Sequence, residues 1–190
     1  MPPIQVSARP APTPGRGAAP RTGPRIRLTR SVGTGPTRLA AFDTALIGAG
    51  LAGLNLVPLS SVVPLGGSVE VVGAADQLRG QHGDLLYCVY AASYATVPGA
   101  QAWAGMAWAI RDDESGAGLF VEHSGPTEAG VNAELSATLG TMMRNRPDRY
   151  VEGGRLLSSA TCRDEPVAAL VIASFQTEGW RSEPAAGQVR

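Results

Sequence analysis

Asn55-Leu56-Val57-Pro58-Leu59-Ser60-Ser61-Val62-Val63-Pro64 sets a serine pair inside an apolar, strand-like run, with an asparagine six residues before the second serine. Taken alone, Ser-Ser followed by Val-Val-Pro marks the end of a strand and a turn. A second reading is chemical: the run makes sense if the backbone between Ser60 and Ser61 is built to break. Upstream, Ala41-Phe42-Asp43 lies on a segment whose Leu39, Phe42 and Leu46 recur at helical spacing. The spacing of Asp43, Asn55, Ser60 and Ser61 taken together separates the two readings.

That set, with Ala49-Gly50 and Pro64 between and after, resembles the pyruvoyl-dependent arginine decarboxylase family. The resemblance covers roughly residues 26–180, densest from Gly33 to Pro64 and good around Glu122. It implies that the Ser61 hydroxyl attacks the Ser60 carbonyl, moving the acyl group from nitrogen to oxygen. Elimination of the ester would leave dehydroalanine, and hydration with loss of ammonia would leave a covalent pyruvoyl group. The products would be chains 1–60 and 61–190. Such a step needs a held or strained peptide and a donor for the developing oxyanion; Asn55 is the candidate donor.

The family also implies the remaining roles. The pyruvoyl carbonyl would hold the α-amine of L-arginine as a Schiff base, and agmatine and CO2 would leave, feeding polyamine synthesis. Asp43 would bind the guanidinium through paired hydrogen bonds, its dense apolar neighbours arguing against full solvation. Ser60, as a new C-terminus, would add a carboxylate near the site. Glu122, in Leu119-Phe120-Val121-Glu122-His123-Ser124-Gly125, matches the proton donor to the carbon that loses CO2, and burial would favour the protonated form that role needs. His123 departs from the aromatic residue expected there; it either tunes the acid or faces solvent.

Composition narrows the rivals. All 16 basic residues are arginine, so a pyridoxal enzyme, which needs a lysine Schiff base, is excluded. An arginine-rich composition would by itself also account for the missing lysine. Charged residues make up 17% of the chain, below the roughly 25% usual in globular proteins. Residues 1–42 carry seven arginines and no acid, leaving the remainder net −7. Seven of the fifteen prolines fall in the first 24 residues, a composition that cannot bury an apolar face and is expected to form a disordered tail. Those prolines forbid a transit-peptide helix, and no aromatics interleave the arginines as in a nucleic-acid patch. No run reaches the ~18 apolar residues of a membrane span. Cys88 and Cys162 lack metal-ligand spacing, as do His82 and His123, so free thiols in a reducing cytoplasm and no metal site are expected.

Beyond the tail, a domain is expected over 25–182, followed by a polar tail at 183–190. Strand-like runs occupy Arg25–Arg30, Leu54–Ser60, Val69–Val72, Leu85–Ser93, Trp103–Ile110, Leu119–Glu122, Leu156–Thr161 and Val167–Phe175. One helix starts at Pro36 and ends at Gly48 or Gly50; another opens at Pro126-Thr127-Glu128 and runs to about Met143, striped by Leu135, Leu139 and Met142. This pattern predicts an α+β layered sandwich. The resemblance implies a four-layer αββα sandwich, associated as a trimer or dimer of trimers with sites between subunits.

Gly48-Ala49-Gly50-Leu51-Ala52-Gly53 matches the dinucleotide fingerprint G-x-G-x-x-G, with Glu70 near the place of a ribose-binding acid. The context argues against a flavin or nicotinamide oxidoreductase, because Pro58, Pro64 and β-branched residues follow where a helix must open. Two further readings stand beside the arginine decarboxylase. One is the same chemistry on another basic amino acid or an arginine-like metabolite. The second is a regulatory or binding relative that keeps the Ser60–Ser61 bond whole.

Overall fold

A computed structural model describes residues 23–180. The expected tails, 1–24 and 183–190, lie outside the described residues except for Gly23 and Pro24. Chain order is β1 (Arg25–Thr34), α1 (Arg38–Gly48), β2 (Asn55–Pro58), β3 (Val62–Val63), β4 (Ser68–Val71), β5 (Leu85–Ala95), β6 (Gln101–Arg111), β7 (Gly118–Gly125), α2 (Glu128–Arg144), β8 (Tyr150–Thr161) and β9 (Val167–Glu178). The strands form two sheets, ordered β2-β5-β9-β1-β4 and β3-β7-β6-β8.

Alternation along the strands fixes the layers. Val167, Ala169, Val171, Ala173 and Phe175 of β9 face the four-stranded sheet and meet Phe120, Met106 and Leu156 in one core. The intervening Ala168, Leu170 and Ile172 face outward and pack under Ala41, Ala45 and Leu46 of α1. On the other sheet, Leu119 and Val121 turn outward to Val131, Leu135 and Leu139 of α2. Because β9 is covered on both faces, it reads as a continuous apolar run instead of an alternating one. Helix, sheet, sheet and helix stack in that order, the expected four-layer αββα sandwich.

The helices begin where side chains can cap them. Thr37 Oγ1 accepts from the Ala40 N–H at 3.1 Å, and Thr127 Oγ1 accepts from the Gly130 N–H at 3.2 Å, so each threonine precedes its helix as an N-cap. Pro36 therefore lies just outside α1 and not in its first turn. The buried face of α1 also differs from the expected stripe. Ala41, Ala45 and Leu46 are buried, whereas Leu39 is 76% exposed. Alanine lets the helix press onto β1: a Cβ on Gly33 would stand 2.1 Å from the Ala41 carbonyl oxygen and 2.4 Å from the Ala45 nitrogen. A stripe drawn from large residues alone misses a face made of small ones.

The glycine fingerprint closes α1. Ala49 is the C-cap, and Gly50 follows at φ 77° and Gly53 at φ 75°. No helix N-terminus follows to receive a pyrophosphate, so the dinucleotide reading falls. No helix among the described residues is long and apolar enough to cross a membrane.

Gly33→Ala forces backbone against backbone at the α1–β1 contact, which has no flexible side chain to yield. The expected loss is about 2–4 kcal/mol, read as a lower urea midpoint at unchanged slope; a midpoint equal to wild type would contradict the packing.

Candidate active site

β2 ends in the five-stranded sheet, where it pairs in parallel with β5. β3 begins in the four-stranded sheet, antiparallel to β7. Only Leu59, Ser60 and Ser61 connect them, so the serine pair spans the gap between the sheets. Each side is anchored by one backbone hydrogen bond: the Leu59 N–H donates to the Cys88 carbonyl at 2.8 Å, and the Phe120 N–H donates to the Ser61 carbonyl at 2.8 Å. β3, two residues long, carries no sequence periodicity and is a strand that the residue pattern does not announce.

Ser61 takes φ 60°; Glu114 is the other non-glycine residue at positive φ among those described. Left-handed backbone costs an L-residue about 1–2 kcal/mol, held here by the anchors on either side. The Ser61 hydroxyl donates to the Glu122 carboxylate, 2.8 Å from Oε1 and 3.0 Å from Oε2. Glu122 arrives there by strand alternation. Phe120 points into the core between the sheets, and Glu122 is the next residue on that face, half-buried at the rim.

The same alternation decides His123. It faces α2, where its Nε2 lies 2.8 Å from Thr138 Oγ1. His123 sits on the opposite side of the sheet from Glu122 and neither contacts that acid nor points freely into solvent.

Asn55 departs from its expected place. Its side-chain nitrogen donates to the Gly83 carbonyl at 2.6 Å, an oxygen that also accepts from the Trp180 indole at 2.8 Å. The extended run Asn55–Pro58 carries the chain about 10 Å away before Ser60 is reached. Within one chain the amide is committed to this turn and not to the Ser60 carbonyl. Sequence reading misses the shared Gly83 carbonyl, because nothing in spacing links positions 55, 83 and 180.

Asp43 is exposed, against the expected shelter of apolar neighbours. It lies on the side of α1 turned away from the sheet, between Leu39 at 76% and Ile47 at 56% exposure. Helical spacing of four puts Leu39, Asp43 and Ile47 in one row. Ser60 is exposed beside Leu59 and Val62, which are exposed as well. A single chain thus joins Ser61 to Glu122 and leaves Asp43 on an outer face.

Residues 25–177 match the family model described as pyruvoyl-dependent arginine decarboxylase. A protein of that name from Halobacterium salinarum (strain ATCC 29341 / DSM 671 / R1) is 36% identical over 155 residues, covering 80% of this chain and 94% of that protein. The chain belongs to the pyruvoyl-dependent arginine decarboxylase family. A relative so named from Thermococcus sibiricus is 32% identical over 139 residues, 72% of this chain and 84% of that protein. Pyruvoyl-dependent arginine decarboxylase 2 of Archaeoglobus fulgidus is 32% identical over 122 residues, 64% of this chain and 76% of that protein. A solved pyruvoyl-dependent histidine decarboxylase aligns at 15% identity and TM-score 0.37, covering 55% of this chain and 54% of that one, a likeness too slight to carry weight.

The residues present fit the group that gives the pyruvoyl-dependent arginine decarboxylases their name. A serine at left-handed φ, with its hydroxyl on a carboxylate and its peptide pinned on both sides, can become a ketone-bearing terminus.

The Cys88 carbonyl that anchors Leu59 belongs to a buried residue whose thiol burial pushes up to about 12. Thiolate is the reactive form, so iodoacetamide at pH 8 is expected to leave Cys88 essentially unlabelled in native protein and to label it fully in urea. Peptide mass mapping reads this out, and rapid native labelling would mean that the β2–β5 edge opens.

Proposed function

We propose that the chain cuts itself between Ser60 and Ser61 and then decarboxylates L-arginine to agmatine and CO2. The observation that carries this reading is Ser61 at φ 60° with its hydroxyl held on Glu122. The Glu122 carboxylate takes the hydroxyl proton as Ser61 Oγ attacks the Ser60 carbonyl carbon. The bond from that carbon to the Ser61 nitrogen breaks as the ester forms. Elimination then frees Ser60 as a carboxylate, and loss of ammonia after hydration leaves a ketone where the Ser61 α-carbon stood. Asn55 serves as a positioning residue, fixing the start of β2 on Gly83.

The pyruvoyl group supplies an electrophilic carbonyl for the substrate α-amine and an electron sink as CO2 departs. Glu122, already within 3.0 Å of the Ser61 side chain, returns a proton to the carbon that loses CO2. In this reading one carboxylate acts as base in the single self-cleavage and as acid in each later turnover, being re-protonated from solvent between turnovers. Asp43 holds the substrate guanidinium, supplied from the outer face of α1 in a second copy. The exposed Leu39 and Ile47 beside it support burial of this row against another subunit, and threefold association, as a trimer or dimer of trimers, closes such a site. The Ser60 carboxylate adds negative charge for a cationic substrate. Two buried, unpaired cysteines favour a reducing cytoplasm, where the product would supply polyamine synthesis.

Glu122→Gln keeps a hydrogen-bond acceptor but loses the base. Cleavage followed on denaturing gels is expected to slow by tenfold or more, and protein that has cleaved fully should still release no CO2. Full activity after cleavage would remove Glu122 from the proton-donor role.

Asp43→Ala should cleave normally yet raise KM for arginine about 30–100-fold, the loss of a charge-assisted pair worth about 2–3 kcal/mol. CO2 release from arginine should exceed that from lysine or ornithine in wild type. Unchanged arginine turnover in the variant would refute the guanidinium assignment, and equal use of the three amino acids would refute arginine as the substrate.

A further inference from the structure

A cleft of about 360 Å³ opens between the start of α1 and the far ends of β5 and β7, within the range of small-ligand pockets. Its polar wall comes from Arg38, Ser93, Tyr94, Gln101 and Ser124, and no acidic residue lines it. Ser124 is two residues beyond Glu122 on the same face of β7, about 7 Å along the strand. Glu122 itself does not line the cleft.

The donors face the cavity for definable reasons. The Arg38 guanidinium carbon lies 4.5 Å from the centre of the Tyr94 ring. This cation–π contact holds the guanidinium at the cleft, where its N–H groups can meet a planar partner. Gln101 Oε1 accepts from the Trp103 indole N–H at 3.0 Å. An indole is a donor only, so this contact fixes the amide orientation and turns the Gln101 NH2 away from Trp103. The Ser93 hydroxyl donates to the Gly125 carbonyl at 3.2 Å, bracing one sheet against the other at the cleft floor.

We propose that this cleft binds a small monocarboxylate, held edge-on by Arg38 with Gln101 and Ser124 as further donors, at a site separate from Ser61 and Glu122. One guanidinium balances a single negative charge; a phosphate dianion calls for more cations than the cleft offers. The same guanidinium repels the cationic substrate, so the two ligands do not compete for the cleft.

Trp103 does not line the cleft but is hydrogen-bonded to Gln101, which does, so a ligand that takes the Gln101 amide shifts the environment of the indole. Acetate and butyrate, titrated into the purified protein at constant ionic strength, should change tryptophan emission saturably with half-saturation at about millimolar. Ser61→Ala protein should respond equally. Arg38→Met and Gln101→Glu, both at exposed positions, should weaken the response at least tenfold without altering cleavage or arginine turnover measured in the absence of carboxylate. An unsaturable response, one matched by chloride, or one unchanged in both variants overturns the proposal. Tighter binding of inorganic phosphate overturns the monocarboxylate class, and loss of the response in Ser61→Ala assigns the effect to the Ser61 centre instead.

Discussion

The three-residue passage from one sheet to the other is the constraint on which the rest depends. β2 belongs to the five-stranded sheet and β3 to the four-stranded one, so the linkage between Ser60 and Ser61 cannot relax into either ladder. The Leu59 N–H on one side and the Ser61 carbonyl on the other are each tied to a different sheet. With both ends fixed, the turn is made at Ser61, in a conformation that most L-residues avoid. The serine there carries a hydroxyl, and the strand beside it a carboxylate that accepts its hydrogen bond; in the proposed reaction these are the nucleophile and the proton acceptor.

The architecture also explains how such a link can be lost without losing the fold. The residues before it include β1, which lies inside the five-stranded sheet between β9 and β4 and pairs with β9 from Arg27 to Thr34. α1 is buried through Ala41, Ala45 and Leu46 against that same sheet. Cleavage would remove one covalent bond at the rim, while the buried apolar surface between the two pieces stays in place. Since burial contributes about 25 cal/mol per Å², that contact outweighs the connection. The α1 row of Leu39, Asp43 and Ile47 is exposed, and in the proposed assembly it would meet a second subunit, one chain carrying the chemistry and its neighbour the specificity.

Much of this was legible in the sequence where the signal is local. The serine pair, Glu122 at a strand end and the strand-like run that becomes β9 follow from spacing and residue type, whereas the threonine that caps α1 is passed over for Pro36 beside it. What escaped depended on tertiary geometry. β3 is too short for periodicity. The buried face of α1 consists of alanines that a hydrophobic stripe overlooks, and Leu39 points the other way. Asn55, Gly83 and Trp180 meet only because β2, β5 and β9 lie side by side. His123 was ambiguous until the pleat of β7 put it under Thr138.

The central claim is that the Ser60–Ser61 linkage converts itself into a ketone-bearing terminus. Intact mass spectrometry of purified protein, with and without cyanoborohydride and arginine, tests it most directly. The account predicts two chains, residues 1–60 and 61–190, the second lighter by one ammonia than the corresponding serine-headed peptide and gaining amine-derived mass on reduction. A single 19.6 kDa chain that persists on long incubation and gains no mass on reduction would contradict it.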